Sequence, residues 1–247
     1  MAALLTMVLA TLIGGSLGIL GSGGSIVTFP VLVYVAGVPA KQAVGMSMAI
    51  VGATALFGAL IQLRRGNLAV KAALIFSISG MLGAYIGSAG THLLSKQALL
   101  LLFAAIMLIV GAMMLRGGAH LHRGRECSLP ICLGVGFAVG VLTGFLGVGG
   151  GFLIVPALVL AAGLDTRLAA GTSLAVIALN SATGLIGQLR YVTCDWSLLG
   201  KFLLFAFVGM GIGIAAARRI HDDHLRRIFG GALIVVAVVI AGLNLKA

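Results

Sequence analysis

Long apolar runs alternate with short polar breaks along the whole chain. Met1 to Ala36 is apolar except for the cluster Gly21, Ser22, Gly23, Gly24 and Ser25. Val44 to Leu63, Ala72 to His92 and Ala98 to Leu115 follow, and then Leu129 to Ala162, Leu168 to Leu189, Leu198 to Ala217 and Ile228 to Leu245. About 20 apolar residues in a helix cross the roughly 30 Å of bilayer hydrocarbon, so each of these runs is long enough to span. A helix through the opening 36 residues would be about 54 Å long, far more than one crossing needs. That segment must break, and the glycine cluster is where. The pattern predicts a glycine-broken hairpin, re-entrant or fully spanning, that starts and ends on one side of the membrane.

Composition settles the class. Of 247 residues, 61% are apolar and only 9% are charged, against about 25% charged in soluble domains. The expectation is an all-α polytopic membrane protein with nominally eight or more transmembrane segments and no soluble domain. The net charge of +11 would suggest nucleic acid in a soluble chain. Here the basic residues sit in short loops beside apolar runs, as the positive-inside bias predicts, and no basic stripe meets aromatics. Cys127, Cys132 and Cys194 are too few for a disulfide framework and read as free thiols. The start lacks a basic leader region, so it reads as the first membrane segment rather than a cleaved signal.

The chain also repeats. Shifted by 126 residues, positions 18–64 fall on 144–190 with 18 of 47 identical and no gap. Gly21, Gly23, Gly24 and Pro30 align with Gly147, Gly149, Gly150 and Pro156; Gly45 and Ser47 with Gly171 and Ser173; Gln62, Leu63 and Arg64 with Gln188, Leu189 and Arg190. Shared apolar composition does not produce matched Pro, Gln, Ser and Arg. The halves are 1–120 and 129–247, joined by a polar linker at 121–128. If each opening segment returns to its own side, three further spans make the halves inverted. Lys41, Lys96, Arg190, Lys201 and Lys246 then face one side and the other 11 Lys and Arg the other, cytoplasmic, side. Parallel halves would split the charge 9 to 7, so the positive-inside rule favours inversion.

The glycine clusters are the candidate site. Glycine weakens a helix by about 1 kcal/mol, and open backbone at membrane depth is tolerated only where it is buried or lines a cavity. A half-helix starting after each cluster would offer free N–H groups and the positive end of its dipole, as secondary transporters arrange their midplane sites. All five acids, Glu126, Asp165, Asp195, Asp222 and Asp223, lie at segment ends or in loops. A cation pathway has no mid-span carboxylate to use, so the ligand is expected to be an anion. The candidate binding residues are Gly21, Ser22, Gly23, Gly24, Ser25, Ser47 and Arg64 in the first half. In the second they are Gly147, Gly149, Gly150, Gly151, Thr172, Ser173, Asn180, Gln188 and Arg190. Thr54, which aligns with Asn180, is a further neutral donor. For Arg64 and Arg190, snorkelling at a helix end is an equal account; for each Ser or Thr, so is bonding back to its own helix. The pairs Gly14/Gly18, Gly83/Gly87, Gly140/Gly144 and Gly209/Gly213 have the spacing of close helix packing.

Other constellations carry less. His120 and His122 with Cys127 and Cys132 match no standard zinc spacing, so no metal is expected. His221 to His224 reads as a solvated loop, and Asp195 as a cap for the next helix, with the Trp196 indole at the interface. No P-loop is present, so this chain uses no ATP, and no cofactor is implied. A serine peptidase around Ser79 would need His92, which lies at a helix end, and an aspartyl peptidase would need two intramembrane aspartates. The chain is therefore expected not to be an enzyme. A passive anion channel shares the pore chemistry of a carrier and stays open as an alternative, as does a homo-oligomer.

The two Gly-x-Gly-Gly-x5-Pro clusters, with the Gly-x-Ser that follows each, resemble the signature of the TauE/SafE family of sulfite exporters. The residues that carry the resemblance are Gly21, Gly23, Gly24, Pro30, Gly45 and Ser47, then Gly147, Gly149, Gly150, Pro156, Gly171 and Ser173. One departure is Met46 where the second half has Thr172. The resemblance implies a multi-pass carrier of the bacterial inner membrane for a small sulfur-containing anion such as sulfite, a sulfonate or sulfoacetate; alternating access, one repeat rocking against the other, is the expected mechanism.

Overall fold

The computed structural model describes residues 2–21, 24, 28, 31–90, 96–116, 129–146, 151–160, 162–188, 196–217 and 219–245. The described residues form nine α-helices and no strand: α1 Ala2–Leu20, α2 Ala40–Arg64, α3 Val70–Gly90, α4 Lys96–Leu115, α5 Leu129–Leu146, α6 Gly151–Leu160, α7 Thr166–Gln188, α8 Trp196–Ala217 and α9 Asp222–Leu245. A short π-helical turn, Val31–Val35, precedes α2. Helices α2, α3 and α4 begin at 40, 70 and 96; α7, α8 and α9 begin at 166, 196 and 222, each 126 residues later.

The helix ends follow from local chemistry. Helix α2 stops where Gly66 takes φ +72°. Its N–H bonds the carbonyl of Leu63 at 3.1 Å, and Asn67 N–H bonds that of Gln62 at 2.9 Å. This is a Schellman closure, which needs a residue that tolerates the left-handed region. The turns before α2 and α7 close alike. Gly37 and Gly163 have φ +70° and +65°, and Val38 N–H to Leu32 O (2.9 Å) is matched by Leu164 N–H to Leu158 O (3.2 Å). At the start of α7, Arg167 donates to Ile220 O at 2.9 Å and so engages a carbonyl just beyond the end of α8, where a cation is favoured.

Packing exchanges helices between the two halves of the chain: α1 lies on α8, α3 on α5, α2 on α7 and α4 on α9. Small residues set the first two contacts. A Cβ on Gly14 would run into the Ala206 carbonyl, and one on Gly209 into that of Thr11; a Cβ on Gly140 would run into the Gly80 carbonyl, and one on Gly83 into that of Phe137. Numbers rise together from Gly14 against Ala206 to Gly18 against Ile214, and from Phe76 against Gly136 to Gly83 against Val141, so α1 and α8 run parallel, as do α3 and α5. In the other two pairs the numbers run oppositely. Gly52 meets Ser181, Gly58 meets Leu174 and Gln62 meets Gly171, so α2 and α7 are antiparallel. Gly111 meets Gly230 and Ile234, while Gly230 also meets Leu115, so α4 and α9 are antiparallel too.

The largest buried side chains include Phe76 and Phe202 on equivalent positions of α3 and α8. The outer surface is apolar as well: Ile78, Leu82, Leu204, Ile212 and Val235 are each 60% to 63% exposed. An apolar exterior of this extent suits lipid and not water. Among the described residues, Gly45–Arg64 and Trp196–Ala217 are long and apolar enough to cross a membrane.

Candidate substrate-binding site

Helix α1 ends at Gly21, which is buried with φ +76°. The chain then doubles back. A Cβ on Gly24 would meet the Ile13 carbonyl and come within 2.7 Å of Leu17 Cγ, so Gly24 lies beside the helix that precedes it. This is the return that the sequence predicts at the first glycine cluster.

The turn rests on α7. Ser173, fully buried, donates to the carbonyls of Gly21 at 3.0 Å and Ala170 at 2.8 Å. A Cβ on Gly21 would be 2.5 Å from Ala170 O and 2.7 Å from Ser173 Oγ. One residue earlier, the hydroxyl of buried Thr172 donates to Leu168 O at 2.7 Å and accepts Ala69 N–H at 3.0 Å. Gly171 in turn lies against the Asn67 carbonyl. Three consecutive residues of α7 therefore hold the first glycine turn and the α2–α3 connection together. The single hydroxyl protons of Thr172 and Ser173 are committed to carbonyls, which leaves only lone pairs for anything else.

Three polar atoms nearby are buried without a hydrogen-bond partner: Thr54 Oγ1, Ser77 Oγ and Asn180 Oδ1. Thr54 is fully buried and Ser77 2% exposed. Each such group costs about 1–3 kcal/mol while unpaired. The antiparallel contacts of α2 and α7, Gly52 against Ser181 among them, place positions 54 and 180 at about the same level of that pair. Ser77 escapes a search that keeps positions polar in both halves, because its counterpart is Leu203; its signal is burial without a partner.

Ser47 is half-buried on α2. Arg64 is exposed at the end of α2 beside Arg65, Gly151 opens α6, and Gln188 ends α7. Ser22, Gly23, Ser25, Gly147, Gly149, Gly150 and Arg190 lie outside the described residues, and so does the expectation that the two glycine clusters converge. Cys132, expected as a free thiol, is instead buried and disulfide-bonded, to a partner outside the described residues. A disulfide needs a second cysteine within bonding geometry, which the fold sets and a count of three cysteines does not reveal. Among the described residues no group of three His, Cys, Asp or Glu could hold a metal; His120, His122 and Cys127 are outside them. Ser79, weighed as a nucleophile, bonds back to Ile75 O at 2.8 Å.

A groove of about 600 Å³ opens between α2, α7 and α8, lined by Met48, Gly52, Leu56, Ala178, Leu179 and Leu203 among others. Apart from Ser181 its lining is apolar, and it excludes Thr54, Ser77 and Asn180, so it offers an anion nothing.

Comparison with known proteins identifies the family. The model of the sulfite exporter TauE/SafE family matches residues 5–240. A protein of Xylella fastidiosa (strain Temecula1) named "Probable membrane transporter protein" is 38% identical over 240 residues, covering 93% of this chain and 90% of the relative. "Probable membrane transporter protein YunE" of Bacillus subtilis is 25% identical over 257 residues, covering 93% and 94%. No solved structure matches. With a helical, apolar-surfaced body matched along almost its whole length, the chain belongs to the TauE/SafE sulfite exporter family of membrane transporter proteins.

Proposed function

We propose that this chain is a multi-pass secondary carrier of the bacterial inner membrane that moves a small sulfur oxyanion or sulfonate by alternating access. In this reading 1–120 and 129–247 are inverted repeats about the linker 121–128, and one rocks against the other. The observation that carries it is the antiparallel pairing of equivalent helices, α2 with α7 and α4 with α9, together with the exchange of α1 and α3 for α8 and α5. A two-fold axis in the membrane plane produces this arrangement, and transporters built so place their sites at the repeat interface.

The roles divide by chemistry. Ser173 holds the glycine turn and Thr172 the α2–α3 connection, while the turns at Gly21 to Ser25 and Gly147 to Gly151 offer backbone N–H groups to the anion. Ser47, Asn180 and Gln188 supply neutral contacts, and Arg64 and Arg190 attract the anion from opposite faces. The acids among the described residues stand at helix starts or before them, Asp165 ahead of α7 and Asp222 and Asp223 opening α9; this suits a path for anions. ATP, metal and nucleic acid have no part in it.

Counterflow of labelled sulfite in proteoliposomes tests the reading, with sulfate and a short sulfonate as competitors. Saturable uptake stimulated by sulfite on the far side is expected. Flux that neither saturates nor responds to counter-substrate would make the protein a passive channel, and no flux of any of the three would remove the substrate class.

A further inference from the structure

The two halves have equivalent interfaces with unlike chemistry. At the α2–α8 interface, Phe57 and Phe207 pack with ring centroids 4.9 Å apart. Their counterparts 126 residues away, Thr183 and Met81, meet at the α3–α7 interface through a hydroxyl–sulfur contact of 3.8 Å. Deeper in, the same comparison sets Leu203 and Thr54 against Ser77 and Asn180. Asn180 lies against α3, its Nδ2 3.7 Å from where a Cβ on Gly80 would stand. Ser77 precedes Gly80 by three residues, one turn back on the same face. The first interface thus combines aromatic rings and Leu203 with one unpaired hydroxyl, Thr54 Oγ1, whereas the other holds two buried polar atoms, Ser77 Oγ and Asn180 Oδ1, that no described residue satisfies.

The unpaired atoms define what fits. Asn180 Oδ1 only accepts, so its partner must bring a proton, whereas the Ser77 hydroxyl donates or accepts. A fully deprotonated oxyanion offers lone pairs alone and would face the amide oxygen unfavourably. An oxyanion with one proton left satisfies both. We propose that the α3–α7 interface is the substrate's seat, and that Ser77 and Asn180 there select a monoprotonated oxyanion such as hydrogensulfite over dianions and over sulfonates. The proposal rests on the carrier reading above and narrows its substrate. A protonated substrate also carries a proton with it, which supplies coupling without any intramembrane carboxylate.

The test is sulfite uptake into proteoliposomes between pH 6 and pH 8, comparing wild type with Ser77→Ala, Asn180→Thr and, as a control at the same interface, Thr183→Val. Asn180→Thr installs the residue that the other half carries, and Ser77→Ala removes a hydroxyl that has no partner to lose. Both are expected to melt no lower than wild type and to raise KM by about 10- to 100-fold, the value of a hydrogen bond to an ion. Thr183→Val should leave KM unchanged. In the wild type, KM for total sulfite should rise with pH as the hydrogensulfite fraction falls, and methanesulfonate should compete weakly. Unchanged KM in both folded variants, or a KM that falls as the dianion accumulates, overturns the proposal while the carrier reading stands. A wild type that takes up no sulfur oxyanion overturns the carrier reading and the proposal with it.

Discussion

The hydroxyl of Ser173 donates to the carbonyl oxygen of Gly21 at 3.0 Å, joining residues 152 apart in sequence at the point where the first membrane segment turns. Ser173→Ala would remove this bond and leave a buried carbonyl with one partner fewer, at a cost of about 1–3 kcal/mol. The expected outcome is a lower melting temperature in detergent together with reduced sulfite counterflow. A variant neutral in both would show that the turn is held by packing alone.

Two left-handed glycines separate strain from contact. Gly37 has φ +70° with nothing within 4 Å of a Cβ, whereas Gly21 has φ +76° with Ala170 O 2.5 Å away. Gly37→Ala should cost about 1–2 kcal/mol, the price of the backbone conformation. Gly21→Ala adds an overpacking penalty and should cost about 3 kcal/mol or more. Thermal unfolding of the two variants side by side measures the difference, and equal losses would mean that Gly21 is not pressed against α7.

The parallel helix pairs depend on their glycines. A Cβ on Gly209 would strike the Thr11 carbonyl, and one on Gly83 that of Phe137, while one on Gly211 meets nothing within 4 Å. Gly209→Ala and Gly83→Ala are each expected to destabilise by about 1–3 kcal/mol. Gly211→Ala, two residues from Gly209 on the same helix, should stabilise by up to about 1 kcal/mol. Melting curves of the three variants give the comparison; similar effects at 209 and 211 would contradict the close approach.

Arg64 is exposed at the end of α2, so its effect on an anion acts through solvent. Arg64→Ala should lower uptake several-fold at low ionic strength and change stability little. The difference should fade as salt shortens the screening length to about 8 Å near 0.15 M. Flux unaffected at every salt concentration would leave Arg64 as a helix-end cation only.

The helix register was legible because the sequence matches itself at one fixed spacing. The 126-residue shift that aligns Gly45 and Ser47 with Gly171 and Ser173 also aligns the starts of α2, α3 and α4 with those of α7, α8 and α9. The turn at Gly21 follows from the length of the opening run, since one helix could not contain it. Ser77 was not legible: a lone serine in an apolar run looks like any other until its burial and lack of a partner are known. The committed protons of Thr172 and Ser173 were equally hidden, because a hydroxyl that holds a neighbouring turn and one that holds a ligand have the same sequence. Cys132 could not be assigned from a count of three cysteines, which gives no pairing.

The exchange of helices between halves bears on how the protein is made. Synthesis delivers α1 through α4 first, yet α1 packs on α8 and α3 on α5. A nascent chain halted after α4 would hold the glycine faces of α1 and α3 against lipid, with no helix to fill them. Neither half has a complete interior of its own, so assembly waits for the last third of the chain, and a truncation before Ala217 would leave α1 without its full partner however well it had inserted.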